Sequence, residues 1–163
     1  MSLAIVYTRA ALGIEAPLIT VEVHLSNGLP GLTMVGLPET TVKEARDRVR
    51  SALINSGYAF PAKKITINLA PADLPKEGGR YDLPIALALL VASEQLNTTR
   101  LNQYEFVGEL ALTGGLRGVP GAIPSAMEAI KAGRRIVVSS DNAAEVGPVS
   151  YTHLRAHETD QYL

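Results

Sequence analysis

Hydrophobic positions recur along this chain with two periods, and the switches between them divide it into elements. A short apolar run, Leu3–Thr8, comes first, and after a loop through Gly13 the segment Leu18–Leu25 alternates Ile19, Val21, Val23 and Leu25 with Thr20, Glu22 and His24. That period of two belongs to a strand with one buried face. Ser26-Asn27-Gly28 tolerates positive φ and predicts a turn, after which Leu32–Val35 is expected to complete an antiparallel start. From Thr41 to Ser56 the period lengthens to that of a helix, with Val42, Ala45, Val49, Ala52 and Leu53 on one stripe. Thr41 and Glu44 have the spacing of a capping box, and Gly57 stands where a left-handed cap ends a helix.

Alternation returns at Ile65, Ile67 and Leu69, which predicts another strand before a Pro- and Gly-rich loop, Ala70–Asp82. A second helix is expected from Asp82 to about Gln95, with Pro84 in its first turn; it is apolar nearly all round, as a buried helix would be. Phe106–Leu112 reads as a strand, Thr113–Gly121 as a glycine-punctuated turn region, Pro124–Ala132 as a third helix ended by Gly133, and Ile136–Val138 as a last short strand. The order predicts an α+β (α/β mixed) domain over residues 1–148, with helices packed on a mixed sheet. The pattern is lost beyond Pro148: Ser150–Leu163 has neither strand nor helix period and no apolar face. Residues 149–163 are therefore expected to be a non-native or disordered tail, and SYTHLRAHETDQYL resembles translated sequencing-adaptor read-through.

A length of 163 residues supports one real core but not a core plus a separate nucleotide-binding domain. With 47% hydrophobic and 19% charged residues and a net charge of -1, the chain is not a broadly basic nucleic-acid coat, so any DNA contact must come from a local patch. The absence of cysteine excludes disulfides, thiolate metal sites and cysteine nucleophiles. The longest apolar run, Leu83–Ala92, is about half of a membrane span. No membrane partner and a cytoplasmic location are expected.

The residues offer little catalytic chemistry. A phosphate loop needs closely spaced glycines followed by Lys-Ser/Thr, and no such sequence occurs; Gly114, Gly115, Gly118 and Gly121 are explained by turn geometry. His24 has no second ligand near it, so no metal is expected. Lys76 could act as a base, but no serine stands in its loop, and Asp73, Glu77 and Asp82 share the loop without further support for acid–base chemistry. What remains is cationic. Lys43, Arg46 and Arg50 fall on one face of the first helix, and Lys63, Lys64, Lys76, Arg80 and Arg117 lie in loops or at strand ends where they could reach phosphates. The competing reading is a solubilising helix face with pairs such as Lys43 to Asp47.

Three blocks, VGLPETTVKEARDRVRSAL, INLAPADLPKEGGRYDLPIA and FVGELALTGGLRGVPGAI, resemble the ComM/YifB family of magnesium-chelatase-like AAA+ ATPases, and the resemblance runs from Met1 to about Pro148. It implies a ribosomal protein S5 domain 2-like, Lon-protease-like domain, followed in the full protein by a hexameric AAA+ module that carries ATP and Mg. The family resemblance further implies DNA as partner, with branch migration in recombination and natural transformation as the activity of the whole. Lon proteases use a serine in a loop like Pro75–Arg80 and a lysine in a later segment. Here Arg80 stands at the serine's place and Ile123 at the lysine's, and a Ser–Lys mechanism cannot run without either. The expected role is a non-catalytic DNA-binding and assembly module with no cofactor of its own, with Lys76, Arg80, Lys43, Arg46, Arg50 and Arg117 as candidate DNA contacts. The alternatives are a degenerate Lon-like peptidase or peptide-binding domain, or a domain that only docks on its own AAA+ module.

Overall fold

The computed structural model describes residues 2–157, of which 149–157 are described as helix backbone only. β1 (Ser2–Arg9), β2 (Leu18–Ser26) and β3 (Gly31–Val35) are followed by α1 (Glu39–Asn55), β4 (Lys64–Ala70) and α2 (Asp82–Ala92). A 3-10 turn at Leu101–Gln103 leads to β5 (Tyr104–Phe106), β6 (Glu109–Leu110) and β7 (Leu116–Arg117), and then to α3 (Ala122–Lys131), β8 (Arg135–Val137) and α4 (Ser140–His157). Six strands form one sheet in the order β3-β4-β2-β1-β5-β8, and β6 with β7 forms a separate ribbon. β1–β2 and β2–β4 pair antiparallel while β3–β4, β1–β5 and β5–β8 pair parallel, so the architecture is the expected mixed α+β one.

The alternation read from β2 is what builds the main core. The register sets Val21 opposite Val6 and Leu69, and Val23 opposite Ala4 and Ile67, which makes one continuous apolar face. α2 lies on that face against β1 and β2, and α1 packs on α2. Ile85 and Leu89 of α2 are buried there together with Val49 and Leu53 of α1. Full burial of such side chains stabilises by roughly 1.5–3 kcal/mol each, which is why the sheet and both helices form together.

Adjacent residues of β5 and β8 serve opposite faces. Phe106 and Val137 belong to the main core, whereas Ile136 joins Val107, Val119, Ala126, Ala129 and Val146 in a second core under α3 and α4. The second face of the sheet carries that cover around β5 and β8. On β2 and β4 the same face keeps Thr20, Glu22, His24, Thr66 and Asn68 half-exposed, and Asn68 Nδ2 donates to Glu22 Oε1 at 2.8 Å.

Several local expectations are corrected by tertiary pairing. β3 does not pair with β2; it runs parallel to β4, with α1 as the crossover, because only a long connection can return the chain in the same direction. Gly36 makes the exit from β3 possible: it has φ +100°, and a Cβ there would run into the Leu69 carbonyl oxygen. α1 starts at Glu39 behind Pro38 and has no side-chain cap, so Thr41 and Glu44 lie inside the helix and form no capping box. Its far end is as expected, with Gly57 at φ +89°. There the Tyr58 N–H donates to Leu53 O at 2.9 Å and the Gly57 N–H to Ile54 O at 3.1 Å, a Schellman closure.

The expected strand Phe106–Leu112 is two strands in different sheets. Between them the Gly108 N–H donates to Arg80 O and its carbonyl accepts from Leu83 N–H, both at 3.1 Å, which ties the break to the start of α2. α2 ends three residues early, at Ala92, in a similar closure with Glu94 at φ +62°. α4 was not foreseen. It runs from Ser140 through Gly147 and Pro148 to His157, so the expected boundary at Pro148 falls inside a helix, and residues 158–163 lie outside the described ones.

Candidate functional site

The loop between β4 and α2 carries the segment expected to replace a catalytic loop, and its two cations point inward. Lys76 is 4% exposed. Its Nζ donates to the carbonyls of Pro71 at 2.6 Å and of Gly36 and Leu74 at 3.0 Å, which uses all three ammonium donors. Burial pushes its pKa below the ordinary lysine value. Lys76 thus pins its own loop to the exit of β3.

Arg80 is also 4% exposed. Its Nε donates to Arg9 O at 3.0 Å, Nη1 to Pro120 O at 2.6 Å and Nη2 to Ser125 Oγ at 2.9 Å. One guanidinium therefore ties the end of β1, the loop before α3 and the first turn of α3. Burial lowers its pKa from the usual arginine value. The guanidinium plugs the space between these segments, and the nearby Ser125 hydroxyl accepts a hydrogen bond from it.

Two further buried networks hold these elements. Asp82, at the first turn of α2, accepts from Arg48 Nε at 2.7 Å and Nη2 at 3.2 Å, and from the Leu110 N–H at 3.1 Å. Burial outweighs those bonds and pushes its carboxyl up to about 6, while the Asp82 hydrogen bond raises the Arg48 pKa. Glu105, fully buried, accepts from Arg9 Nε at 2.7 Å, Arg9 Nη2 at 2.9 Å and Arg134 Nη1 at 3.0 Å. Arg134 also lies over the Tyr7 ring, 4.0 Å from its centroid. Arg9 is thus shared: its side chain serves Glu105 and its carbonyl serves Arg80.

Above the plug lies a cavity of about 630 Å³, lined by Glu77–Tyr81 from one side, Gly118–Gly121 from the other, and Glu109. Among the described residues no group of three or more His, Asp or Glu is placed to hold a metal ion, and no helix is long and apolar enough to cross a membrane.

The sequence model for Subunit ChlI of Mg-chelatase matches residues 21–142. The chain belongs to this family. It is 81% identical over 150 residues to Uncharacterized protein YifB of Salmonella typhimurium and 64% identical over 150 residues to Competence protein ComM of Haemophilus influenzae; each comparison covers 92% of this chain and 30% of the relative. A third relative, Uncharacterized protein Rv2897c of Mycobacterium tuberculosis, is 36% identical over 98% of this chain and 32% of its own length. The ComM/YifB resemblance is upheld, and the chain spans about a third of the length of the curated relatives it matches.

In this ChlI-family chain the six cations expected to face DNA divide into two groups. Lys76 and Arg80 are internal: Arg80 is held by three distant segments, and Lys76 by two carbonyls of its own loop and by the distant Gly36 carbonyl, a convergence that spacing in sequence does not reveal. Lys43, Arg46 and Arg50 are exposed on α1, and Arg117 is exposed on β7 opposite Glu109. Arg46 meets Asp47 at 3.7 Å, an exposed pair of little energetic weight, and Arg50 lies 5.6 Å from the centre of the Phe60 ring. Sequence reasoning missed Arg9, Arg48, Tyr81, Glu105, Glu109 and Arg134. Tyr81, Arg48 and Glu109 lie inside the quoted blocks, and of these Tyr81 alone adjoins the Pro75–Arg80 loop.

Proposed function

We propose that this chain is a non-catalytic accessory domain of a ComM/YifB-type AAA+ ATPase, acting in DNA binding and assembly, with ATP and Mg handled by a separate module of the longer protein. The observation that carries this reading is the Arg80 plug: three distant segments converge on a guanidinium where an acyl-transfer enzyme needs a nucleophile and base within hydrogen-bond reach. A degenerate peptidase has no support from that arrangement. DNA contact is assigned to the exposed face of Lys43, Arg46 and Arg50, joined by Arg117.

The test is duplex DNA binding by the chain across a salt series. Log affinity should fall linearly with log salt, and replacing Lys43, Arg46 and Arg50 with Ala should reduce the slope by about one per lost phosphate contact. A wild-type slope in the triple variant removes α1 from the interface. A second reading, docking on its own AAA+ module within a homo-hexamer, is supported by Leu3 and Ile5, which are 61% and 40% exposed on β1. It predicts no DNA binding by this chain at any salt.

A further inference from the structure

The cleft above Arg80 has a chemistry that the accessory role leaves unused. At about 630 Å³ it is of the size that holds a small ligand or a side chain with its backbone. Glu77 and Glu109 stand on its wall, and neither carboxylate forms a hydrogen bond or ion pair among the described residues. Glu109 lies over Gly79, in the space that a Cβ would occupy, so a residue without a side chain keeps the carboxylate at the cleft. The guanidinium on the lining, that of Arg80, is committed to Arg9 O, Pro120 O and Ser125 Oγ.

An independent observation points to a ligand. Tyr81 lines the same cleft and is only 2% exposed, yet its hydroxyl has no hydrogen-bond partner among the described residues. Burial pushes that hydroxyl up to about 12, so at neutral pH it remains a donor. The hydroxyl is not among the enclosed atoms without a partner, so it is a donor open to the cleft and free for a ligand, and two carboxylates without an ion pair beside it set the charge of what it would take.

We propose that this cleft binds an ammonium or guanidinium group carried beside a hydrogen-bond acceptor, as on a basic side chain next to its own peptide carbonyl. Glu77 and Glu109 hold the cation, and the Tyr81 hydroxyl donates to the acceptor. A free polyamine offers the cations without the acceptor, so the chemistry favours a polypeptide. The carboxylates also separate this site from the cationic face of α1, since a phosphate would meet them.

The probes are N-acetyl-arginine methylamide, its neutral counterpart N-acetyl-glutamine methylamide, and spermidine, each titrated into the whole chain and followed by amide chemical shifts. The arginine derivative should give saturable shifts centred on residues 77–81 and 118–121, with affinity on the order of a millimolar. Glu77→Gln with Glu109→Gln should weaken it tenfold or more, and Tyr81→Phe several-fold. Glu77 is exposed, so Glu77→Gln alone keeps the test usable if a buried variant fails to fold, and it should weaken binding about threefold. Spermidine binding as tightly as the arginine derivative would overturn the acceptor contact and identify a polyamine instead. No saturable shifts at the two loops, or equal binding of the glutamine derivative, would overturn the site. Neither result bears on the DNA salt slope, so this proposal and the accessory role fail separately.

Discussion

Removing the Glu105 carboxylate should cost this fold more than any exposed charge could. Glu105 is fully buried, at the centre of three charge-assisted hydrogen bonds from Arg9 and Arg134. In Glu105→Ala the Arg9 side chain, 8% exposed, keeps only the carbonyls of Ala16 and Glu128 as partners and is left as an uncompensated buried cation. Breaking a buried pair in this way costs about 3–5 kcal/mol. For a domain of this size each kcal/mol moves Tm by about 2–4 °C, so Tm should fall by roughly 6–20 °C. Urea unfolding followed by far-UV circular dichroism reads the loss directly, with an unchanged m value as evidence that the native state has not loosened. Arg9→Met combined with Glu105→Leu should recover much of the loss, because it removes the stranded charges together and Arg134, 21% exposed, can still reach water. A loss under about 1 kcal/mol in Glu105→Ala would refute the argument that the triad is desolvated and interdependent.

Three other outcomes follow from the same geometry. Lys76→Met strands the carbonyls of Gly36, Pro71 and Leu74 and should lower stability by about 2–4 kcal/mol in urea, while the salt slope of DNA binding stays at its wild-type value; a reduced slope with intact stability would return Lys76 to the DNA interface. Glu94→Gly relieves a left-handed residue at the end of α2 and should raise stability by about 1 kcal/mol, which a rise in the urea midpoint checks. Asp82 has its carboxyl raised by burial from 3.8 to about 6, so the unfolded chain releases that proton first and the contribution of this group to stability is full below about pH 4 and declines as pH rises toward 6. Asp82→Asn should flatten that part of the pH–stability curve; an unchanged slope would place the titration elsewhere.

The period of hydrophobic residues was enough to place β2, β4, α1 and the all-round apolar α2, because alternation and helical stripes are local properties that a single face of packing preserves. Gly57 was legible as the end of α1 because a left-handed cap follows from one residue's backbone freedom. The absence of a nucleophile at Arg80 was legible too, since residue identity alone excludes that chemistry. The direction in which Arg80 and Lys76 point was not, because Arg9, Pro120 and Ser125 reach Arg80, and Gly36 reaches Lys76, only when sheet and helices pack, while Pro71 and Leu74 turn toward Lys76 through the fold of its own loop. For the same reason β3 could be recognised as a strand but not assigned its neighbour, and the split of Phe106–Leu112 at Gly108 depended on hydrogen bonds to the start of α2. Glu105 and Arg9, 96 residues apart, carry no shared signal along the chain. Burial decides that they must meet, and burial is a property of the folded whole.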